Sequence, residues 1–179
     1  MKFIELELPG VVLIEPKVFE DTLRGGFFME NYNQRLFQDN GISFLWVQDN
    51  HSESKANVIR GLHFQAPPMA QDKLCRVIRG AAADIIVDLR SNSKTFGKNI
   101  VITLNEKNRR VLYVPKGFAH GFISLVDNTE FVYKTSEYYS PKDERGIHYS
   151  CVQLGNKYNM VINNRDEDLP SINDISFYF

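Results

Sequence analysis

The sequence has few of the residues that mark several large classes of protein. Its two cysteines, Cys75 and Cys151, lie far apart, which fits neither a secreted disulfide framework nor a CxxC metal or redox site. We therefore expect two buried or incidental thiols. The formal net charge is only -1, so there is no excess of basic residues of the kind that binds nucleic acid.

Long apolar runs are missing as well. The first ten residues, MKFIELELPG, mix acidic and apolar side chains, and no uncharged stretch of membrane-spanning length follows. The sequence thus predicts a cytoplasmic protein with no membrane partner. Its 179 residues contain no linker, charge block or repeat, and we predict one domain over residues 1–179.

Short stretches rich in β-branched and aromatic residues dominate the chain, and turn residues separate them. This pattern is typical of an all-β sandwich or barrel. The predicted strands lie in GISFLWVQDN, KLCRVIRG, ADIIVDLR, KNIVITLN, RRVLYVP, GFISLVDN and EFVYKTSEYY. In KLCRVIRG, charged residues fall on both faces, so Lys73 and Arg79 each lie either in an interior pocket or at a strand end.

The most helix-like stretch is FMENYNQRLFQDNG, which Asn40-Gly41 would end. Its predicted apolar face consists of Phe28, Tyr32, Leu36 and Phe37. The tail from Asn163 onward is acidic and has little strand pattern. We expect this tail to wrap over the barrel.

Two histidines stand out as candidate functional residues. His63 lies in RGLHFQ, where it could be a metal ligand, a base or a packed core imidazole, and His120 follows turn residues in YVPKGFAHGF. The PxGxxH pattern of the second stretch resembles the second motif of cupin barrels. Metal cupins have two histidines one residue apart in their first motif, followed by a glutamate, whereas this chain has Gln65 in place of the second histidine and lacks the carboxylate. Two histidines make a poor zinc or iron site, so we expect no metal.

Several longer stretches together resemble one family of cupins. RGLHFQAPPMAQDKL, WVQDNHSES, VDLRSNSKTFG, YVPKGFAHGF and FVYKTSEYYSPKDERGI are similar, in order and spacing, to the RmlC family. Its members are the thymidine-diphosphate-4-keto-6-deoxy-sugar 3,5-epimerases of deoxysugar biosynthesis, and the similarity runs from about Phe19 to Pro170. The resemblance implies an all-β, cupin-type jelly-roll barrel with a few short helices, a homodimer and no cofactor.

The resemblance also implies the catalytic residues of an isomerase. Inversion next to a C4 ketone needs a base, an acid on the opposite face and a cation near the enolate oxygen. His63 matches the family's base, Tyr133 its acid and Lys73 the cation near the C4 oxygen. Asp166 matches the aspartate that orients the base, although Asp168 is close enough to compete for that role.

Further positions match the family's binding residues for a nucleotide sugar, most simply a dTDP-linked one. They are Arg24, Glu30, Gln48, Asp49, Asn50, Arg60, His120, Tyr138, Tyr139, Glu144 and Arg165. One of the two adjacent tyrosines would stack on the nucleotide base. The stretch LRGGFFME has one residue more than the family pattern, so Arg24 or Glu30 would reach the diphosphate across the dimer.

Other functions stay open from the sequence alone. A single-carbon epimerase or a 3,4-ketoisomerase could use the same residues, and Tyr149 and Tyr158 stand where the family commonly has tryptophans. A metal cupin oxygenase would contain a transition metal. A non-catalytic sugar-nucleotide binding domain would bind ligand without proton exchange, but simple binding needs no groups tuned for proton transfer.

Overall fold

The computed structural model describes residues 1–152, 154, 158–175 and 179. Within these residues the strands are β1 (Lys2–Glu5), β2 (Val12–Glu15), β3 (Val18–Asp21), β4 (Gly26–Met29), β5 (Gln48–Ser54), β6 (Ile59–Gln65), β7 (Lys73–Arg79), β8 (Ala81–Asp88), β9 (Asn99–Asn105), β10 (Val111–Val114), β11 (Phe118–Ser124), β12 (Thr129–Thr135) and β13 (Glu144–Gly146). The helices are α1 (Gln34–Asp39) and α2 (Asn164–Glu167), with 3-10 turns at Tyr149–Cys151 and Ile172–Asp174. No helix in the described part of the chain is long and apolar enough to cross a membrane.

Two antiparallel sheets pack face to face. The six-stranded sheet has the order β1-β2-β10-β7-β12-β5, the five-stranded sheet has the order β13-β6-β11-β8-β9, and β3 and β4 form a separate hairpin. Apolar side chains from both sheets fill the space between them, and Phe122 stacks on Phe131 across this core with ring centroids 4.1 Å apart. The all-β prediction with a few short helices is therefore confirmed.

The strand β7 shows how alternation separates the two faces of a sheet. Cys75 and Val77 point into the core between the sheets, whereas Leu74 packs on the outer side, in the cluster that contains Phe37 of α1. Lys73 lies on the inward face with Cys75 and is buried, so its position is a pocket rather than a solvated strand end. Both cysteines are free thiols, as expected, with Cys75 buried and Cys151 half-buried.

Two local predictions were wrong. The helix begins only at Gln34, because the Asn33 side chain accepts the Leu36 N–H and caps it, and Phe28 instead pairs within the β3–β4 hairpin. The strand predicted in GISFLWVQDN begins only at Gln48. The aromatic residues that suggested an earlier start pack outside the six-stranded sheet through ring contacts.

The C-terminal segment covers the outer face of the five-stranded sheet, as the sequence predicts. Apolar residues from Asn163 onward, including Ile172, Ile175 and Phe179, pack against the buried side chains of β6, β8 and β11. Val161 also forms a parallel bridge with Val58, just before β6. These contacts place the short helix α2 beside β6, the strand that carries His63.

Candidate active site

Both sheets contribute polar side chains to a cavity of about 380 Å³. The five-stranded sheet supplies His63 from β6 and His120 from β11, and the six-stranded sheet supplies Lys73 from β7 and Tyr133 from β12. Buried polar groups are costly unless they are paired or used, so their concentration in one cavity marks a functional site.

His63 is bound to a carboxylate 103 residues further along the chain. Its Nε2 lies 2.8 Å from Asp166 Oδ1, and Asp166 Oδ2 accepts the Gly61 N–H at 2.9 Å. Burial would raise the pKa of Asp166, which is 2% exposed, but the hydrogen bonds with His63 and Gly61 lower that pKa overall. An ionised Asp166 therefore accepts a hydrogen bond from Nε2 of His63 and keeps the ring proton on that nitrogen. This leaves Nδ1 as the ring nitrogen that can accept a proton.

The short helix α2 brings Asp166 into place. The Asn163 side chain accepts the Asp166 N–H at 2.7 Å and so caps the helix. Asp168, the competing aspartate, lies exposed at the other end of α2. The geometry thus selects Asp166 as the partner of His63.

Close approach of β6 and β11 places the two histidines side by side. Gly61 has φ 108°, and a Cβ there would lie 2.8 Å from the His120 carbonyl oxygen. Only glycine accommodates both conditions without strain. His63 and His120 are consequently direct partners in the strand register.

His120 has a carboxylate partner of its own, which the sequence analysis missed. Its Nε2 lies 2.7 Å from Asp84 Oδ1, and Asp84 is 0% exposed. Burial raises the pKa of Asp84, and the electrostatic interaction and hydrogen bond with His120, together with the charge of Lys73, oppose that rise only in part. An acidic residue inside the apolar strand ADIIVDLR was the signal that could have revealed it.

Lys73 lies beside His63 in the cavity and is 8% exposed. Its Nζ donates a hydrogen bond to the His63 carbonyl oxygen at 3.3 Å. Burial lowers the pKa of Lys73, while the charges of Asp84 and Glu144 raise it. A cation with little water around it is well suited to stabilise an oxyanion.

Tyr133 enters the cavity from the opposite sheet. Burial raises the pKa of its phenol above the ordinary value of 10.0; the charge of Glu144 adds to this rise and Arg60 opposes it. The hydroxyl is therefore protonated at neutral pH and can donate a proton. Arg60 itself is held in place by a hydrogen bond from its Nε to Ser54 Oγ at 2.9 Å.

A second polar cluster lines the cavity mouth. The Tyr139 hydroxyl donates to Glu144 Oε2 at 2.7 Å, and Arg165 pairs with the other oxygen of Glu144. Burial would raise the pKa of Glu144, but these two partners lower it overall. Gln48 and Asn50 lie next to this cluster, joined by a hydrogen bond of 2.9 Å.

Five predicted binding residues do not line the cavity of a single chain. Gln48 lies just outside it, where its Oε1 accepts the Tyr139 N–H at 2.9 Å. Asp49 pairs with Lys134 at 2.7 Å and does not line the cavity, because alternation along β5 turns it away from Gln48 and Asn50. Tyr138 does not line the cavity either. Both adjacent tyrosines are exposed, but only Tyr139 lines the cavity.

The other two residues belong to the N-terminal region. Arg24 is exposed at the turn of the β3–β4 hairpin and pairs with Asp21. Glu30 follows the hairpin and accepts a hydrogen bond from Asn33. In the described residues there is also no group of three or more histidine, cysteine, aspartate or glutamate side chains that could hold a metal ion.

Two packed antiparallel sheets around a polar cavity define a cupin-type barrel, and the histidine, tyrosine and lysine side chains in that cavity are of types that can transfer protons. The family model described as dTDP-4-dehydrorhamnose 3,5-epimerase matches residues 5–174. A protein of that name from Shigella flexneri is 50% identical over 151 residues, which is 84% of this chain and 82% of its own. The chain belongs to the dTDP-4-dehydrorhamnose 3,5-epimerase family, and it is an isomerase.

Solved structures agree with this assignment. The epimerase of Bacillus anthracis, with TDP and PPi bound, is 42% identical, has a TM-score of 0.88 and covers 95% of this chain and 98% of its own. The Legionella pneumophila epimerase, in complex with dTDP-4-keto-L-rhamnose, is 36% identical, has a TM-score of 0.90 and covers 98% of this chain and 94% of its own. The predicted family and cupin fold are confirmed.

Proposed function

We propose that the protein inverts C3 and C5 of dTDP-4-keto-6-deoxy-D-glucose to give dTDP-4-keto-L-rhamnose. One observation carries the proposal: a carboxylate-bound histidine and a protonated tyrosine enter one cavity from opposite sheets, with a buried lysine beside the histidine. Inversion of a carbon requires proton removal on one face and proton addition on the other. This arrangement supplies both steps.

In the first step His63 removes the proton from a carbon next to the C4 ketone. That proton is acidic because the carbonyl oxygen takes up the negative charge. Asp166, ionised and 2.8 Å from Nε2, stabilises the imidazolium that forms.

The negative charge on the C4 oxygen then needs a cation. Lys73 is the buried cation of the cavity, and His120 lies opposite His63 in the strand register. A single donor of this kind contributes about 2.7 to 4 kcal/mol to the transition state in other enzymes.

Tyr133 completes the inversion. Its pKa is raised, so it holds its proton until the enolate forms, and it lies on β12 of the six-stranded sheet, whereas His63 lies on β6 of the five-stranded sheet. A proton from Tyr133 therefore reaches the carbon on the face that His63 does not occupy.

The cavity mouth is the proposed site of the nucleotide. Tyr139 lines the cavity and Tyr138 does not, so Tyr139 is the tyrosine that would stack on the base. Gln48, Asn50, Glu144 and Arg165 surround it with hydrogen-bonding groups.

The second subunit of a homodimer would complete the mouth. Arg24 and Glu30 lie outside the cavity of their own chain, on or just after an exposed hairpin that carries the apolar residues Phe19, Leu23 and Phe28 at its surface. Such a patch favours burial against another protein surface. We therefore place Arg24 or Glu30 at the partner's diphosphate site, in a cytoplasmic dimer.

The test is incubation of the purified protein with dTDP-4-keto-6-deoxyglucose in deuterated water, followed by NMR of the C3 and C5 protons. We expect exchange at both carbons and the L-rhamno product. Exchange at one carbon would indicate a single-carbon epimerase instead, and a product with its ketone at C3 would indicate a ketoisomerase. Binding of TDP without any exchange would overturn the catalytic proposal.

A further inference from the structure

The segment from Glu137 to Ser140 lies between β12 and β13 and has no regular secondary structure. We call it the tyrosine segment because it carries Tyr139. One backbone group of each of these four residues nevertheless forms a hydrogen bond with a glutamine side chain. Gln71 Nε2 donates to the Glu137 carbonyl at 2.8 Å, and Gln48 Oε1 accepts the Tyr139 N–H at 2.9 Å. Gln65 provides the remaining two contacts.

Gln65 uses its whole amide group for this purpose. Its Nε2 donates to the carbonyls of Met69, at 2.6 Å, and Tyr138, at 3.0 Å, and its Oε1 accepts the Ser140 N–H at 2.7 Å. The residue is 4% exposed. Gln65 lines the cavity, but its amide hydrogens are already bonded to protein atoms, so they are not available to a substrate.

An amide is the side-chain group that this position requires. Two carbonyl oxygens and one N–H meet at Gln65, so the side chain must donate twice and accept once. A carboxylate has no proton to donate, and a neutral imidazole has a single N–H. The position of the second histidine of metal cupins is thus occupied by a residue whose chemistry fits the tyrosine segment.

Gln65 also links two parts of the site. It is the last residue of β6, two positions after His63, so the two side chains project from the same side of the strand. The same amide fixes the backbone on both sides of Tyr139. The strand that carries the base thereby sets the position of the nucleotide-stacking residue.

We propose that Gln65 is a positioning residue for the nucleotide, acting through Tyr139; this rests on the proposed contact between Tyr139 and the base. Gln65 holds the Tyr138 carbonyl and the Ser140 N–H, and so fixes the Tyr139 ring at the cavity mouth before ligand arrives. Pre-ordering of this kind increases affinity because less conformational freedom is lost on binding.

The experiment is calorimetric titration of the full chain with TDP, using the Gln65→Met variant, which keeps the side-chain length and removes every hydrogen bond. We expect TDP affinity to fall about tenfold, the effect of losing roughly one to two neutral hydrogen bonds. The KM for the sugar nucleotide should rise by a similar factor, and kcat should change less than about twofold. Gln38→Met, on the exposed surface of α1, is the matched control and should change neither value.

A double-mutant cycle tests whether Gln65 acts through Tyr139. In a Tyr139→Ala background, Gln65→Met should weaken TDP binding less than about twofold, because the residue that it positions is gone. An unchanged affinity for Gln65→Met, or a full tenfold loss in both backgrounds, would overturn the proposal. If Gln65→Met does not fold, Gln71→Met is tested in the same cycle, with an expected loss of about threefold that Tyr139→Ala abolishes.

The two proposals fail in different ways. If Tyr139→Ala binds TDP as tightly as the wild type, the assigned nucleotide contact is wrong. If Tyr139→Ala weakens binding and neither glutamine variant does, the nucleotide contact stands and the positioning role of Gln65 is wrong.

Discussion

The two histidine–aspartate pairs of this cavity look alike and differ in the state of their carboxylates. Asp166 uses both oxygens, one for His63 and one for the Gly61 N–H. Asp84 bonds His120 through one oxygen, and its other oxygen is buried with no hydrogen-bond partner among the described residues. The pKa of Asp166 is lowered as a result, while burial raises the pKa of Asp84.

In the proposed mechanism this difference separates the base, His63, from a binding group, His120. The carboxylate of Asp166 is stabilised as an anion, and His63, whose side chain is 27% exposed, can gain a positive charge beside it. His120 is 7% exposed and lies against a carboxylate that the protein stabilises poorly as an anion. The histidines of two neighbouring strands thus have the same type of partner but different chemistry, which is decided by the Gly61 N–H that reaches Asp166 and by the deeper burial of the His120–Asp84 pair.

Among changes to the two carboxylates, the largest effect should come from Asp166→Asn. An asparagine amide can donate to Nε2 of His63, which moves the imidazole proton to Nδ1 and blocks the nitrogen that accepts the substrate proton. We expect the rate of deuterium incorporation at C3 and C5 to fall about 100-fold. Asp168→Asn is the matched control on the exposed end of α2, and a loss of similar size there would contradict the assignment.

Asp84→Asn should have a smaller effect. It weakens the bond that orients His120 but leaves the base and its partner intact, so we expect a loss of about tenfold in kcat/KM. Initial rates over a range of substrate concentrations measure this value. A loss equal to that of Asp166→Asn would mean that the two pairs share one role.

The smallest and most specific effect concerns stability against pH. The pKa of Asp166 is below its ordinary value of 3.8 in the folded state, so its contribution to stability is present above about pH 4 and is lost as the pH falls below that value. The pKa of Asp84 is raised, so its contribution is present at low pH and is lost as the pH rises above 3.8.

Urea unfolding of the two asparagine variants from about pH 2.5 to pH 7 checks this contrast, because the Asp166 contribution changes below pH 4 and the Asp84 contribution changes above it. Relative to the wild type, Asp166→Asn should become more destabilised as the pH rises from the acid end of this range. Asp84→Asn should become less destabilised, or stabilised, over the same range. Equal slopes for the two variants would show that the carboxylates do not differ in the way that burial and hydrogen bonding indicate.

Much of the fold was predictable because strand alternation is a local property. The stretches KLCRVIRG, ADIIVDLR and KNIVITLN each became a strand, and the inward face of β7 followed from alternation alone. The predicted helix was too long at its start, because Phe28 pairs with Phe19 in the β3–β4 hairpin. The periodicity of FMENYNQRLFQDNG gives no sign of that pairing.

The site was less predictable because it depends on contacts between distant residues. Asp166 could be matched to a role only through the family's order of motifs, and the bond to His63 depends on how the tail folds over β6. Asp84 and Gln65 were missed because their partners, His120 and the tyrosine segment, lie on other elements.

Separate measurements of proton removal and of inversion test the proposed mechanism most sharply. Wild type, His63→Asn and Tyr133→Phe are incubated with dTDP-4-keto-6-deoxyglucose in deuterated water, and NMR follows deuterium in the remaining substrate and in the product. The proposed mechanism predicts that His63→Asn loses exchange and inversion together, whereas Tyr133→Phe still exchanges deuterium into the substrate without inverting it. Normal exchange in His63→Asn, or inversion at the wild-type rate in Tyr133→Phe, would contradict it.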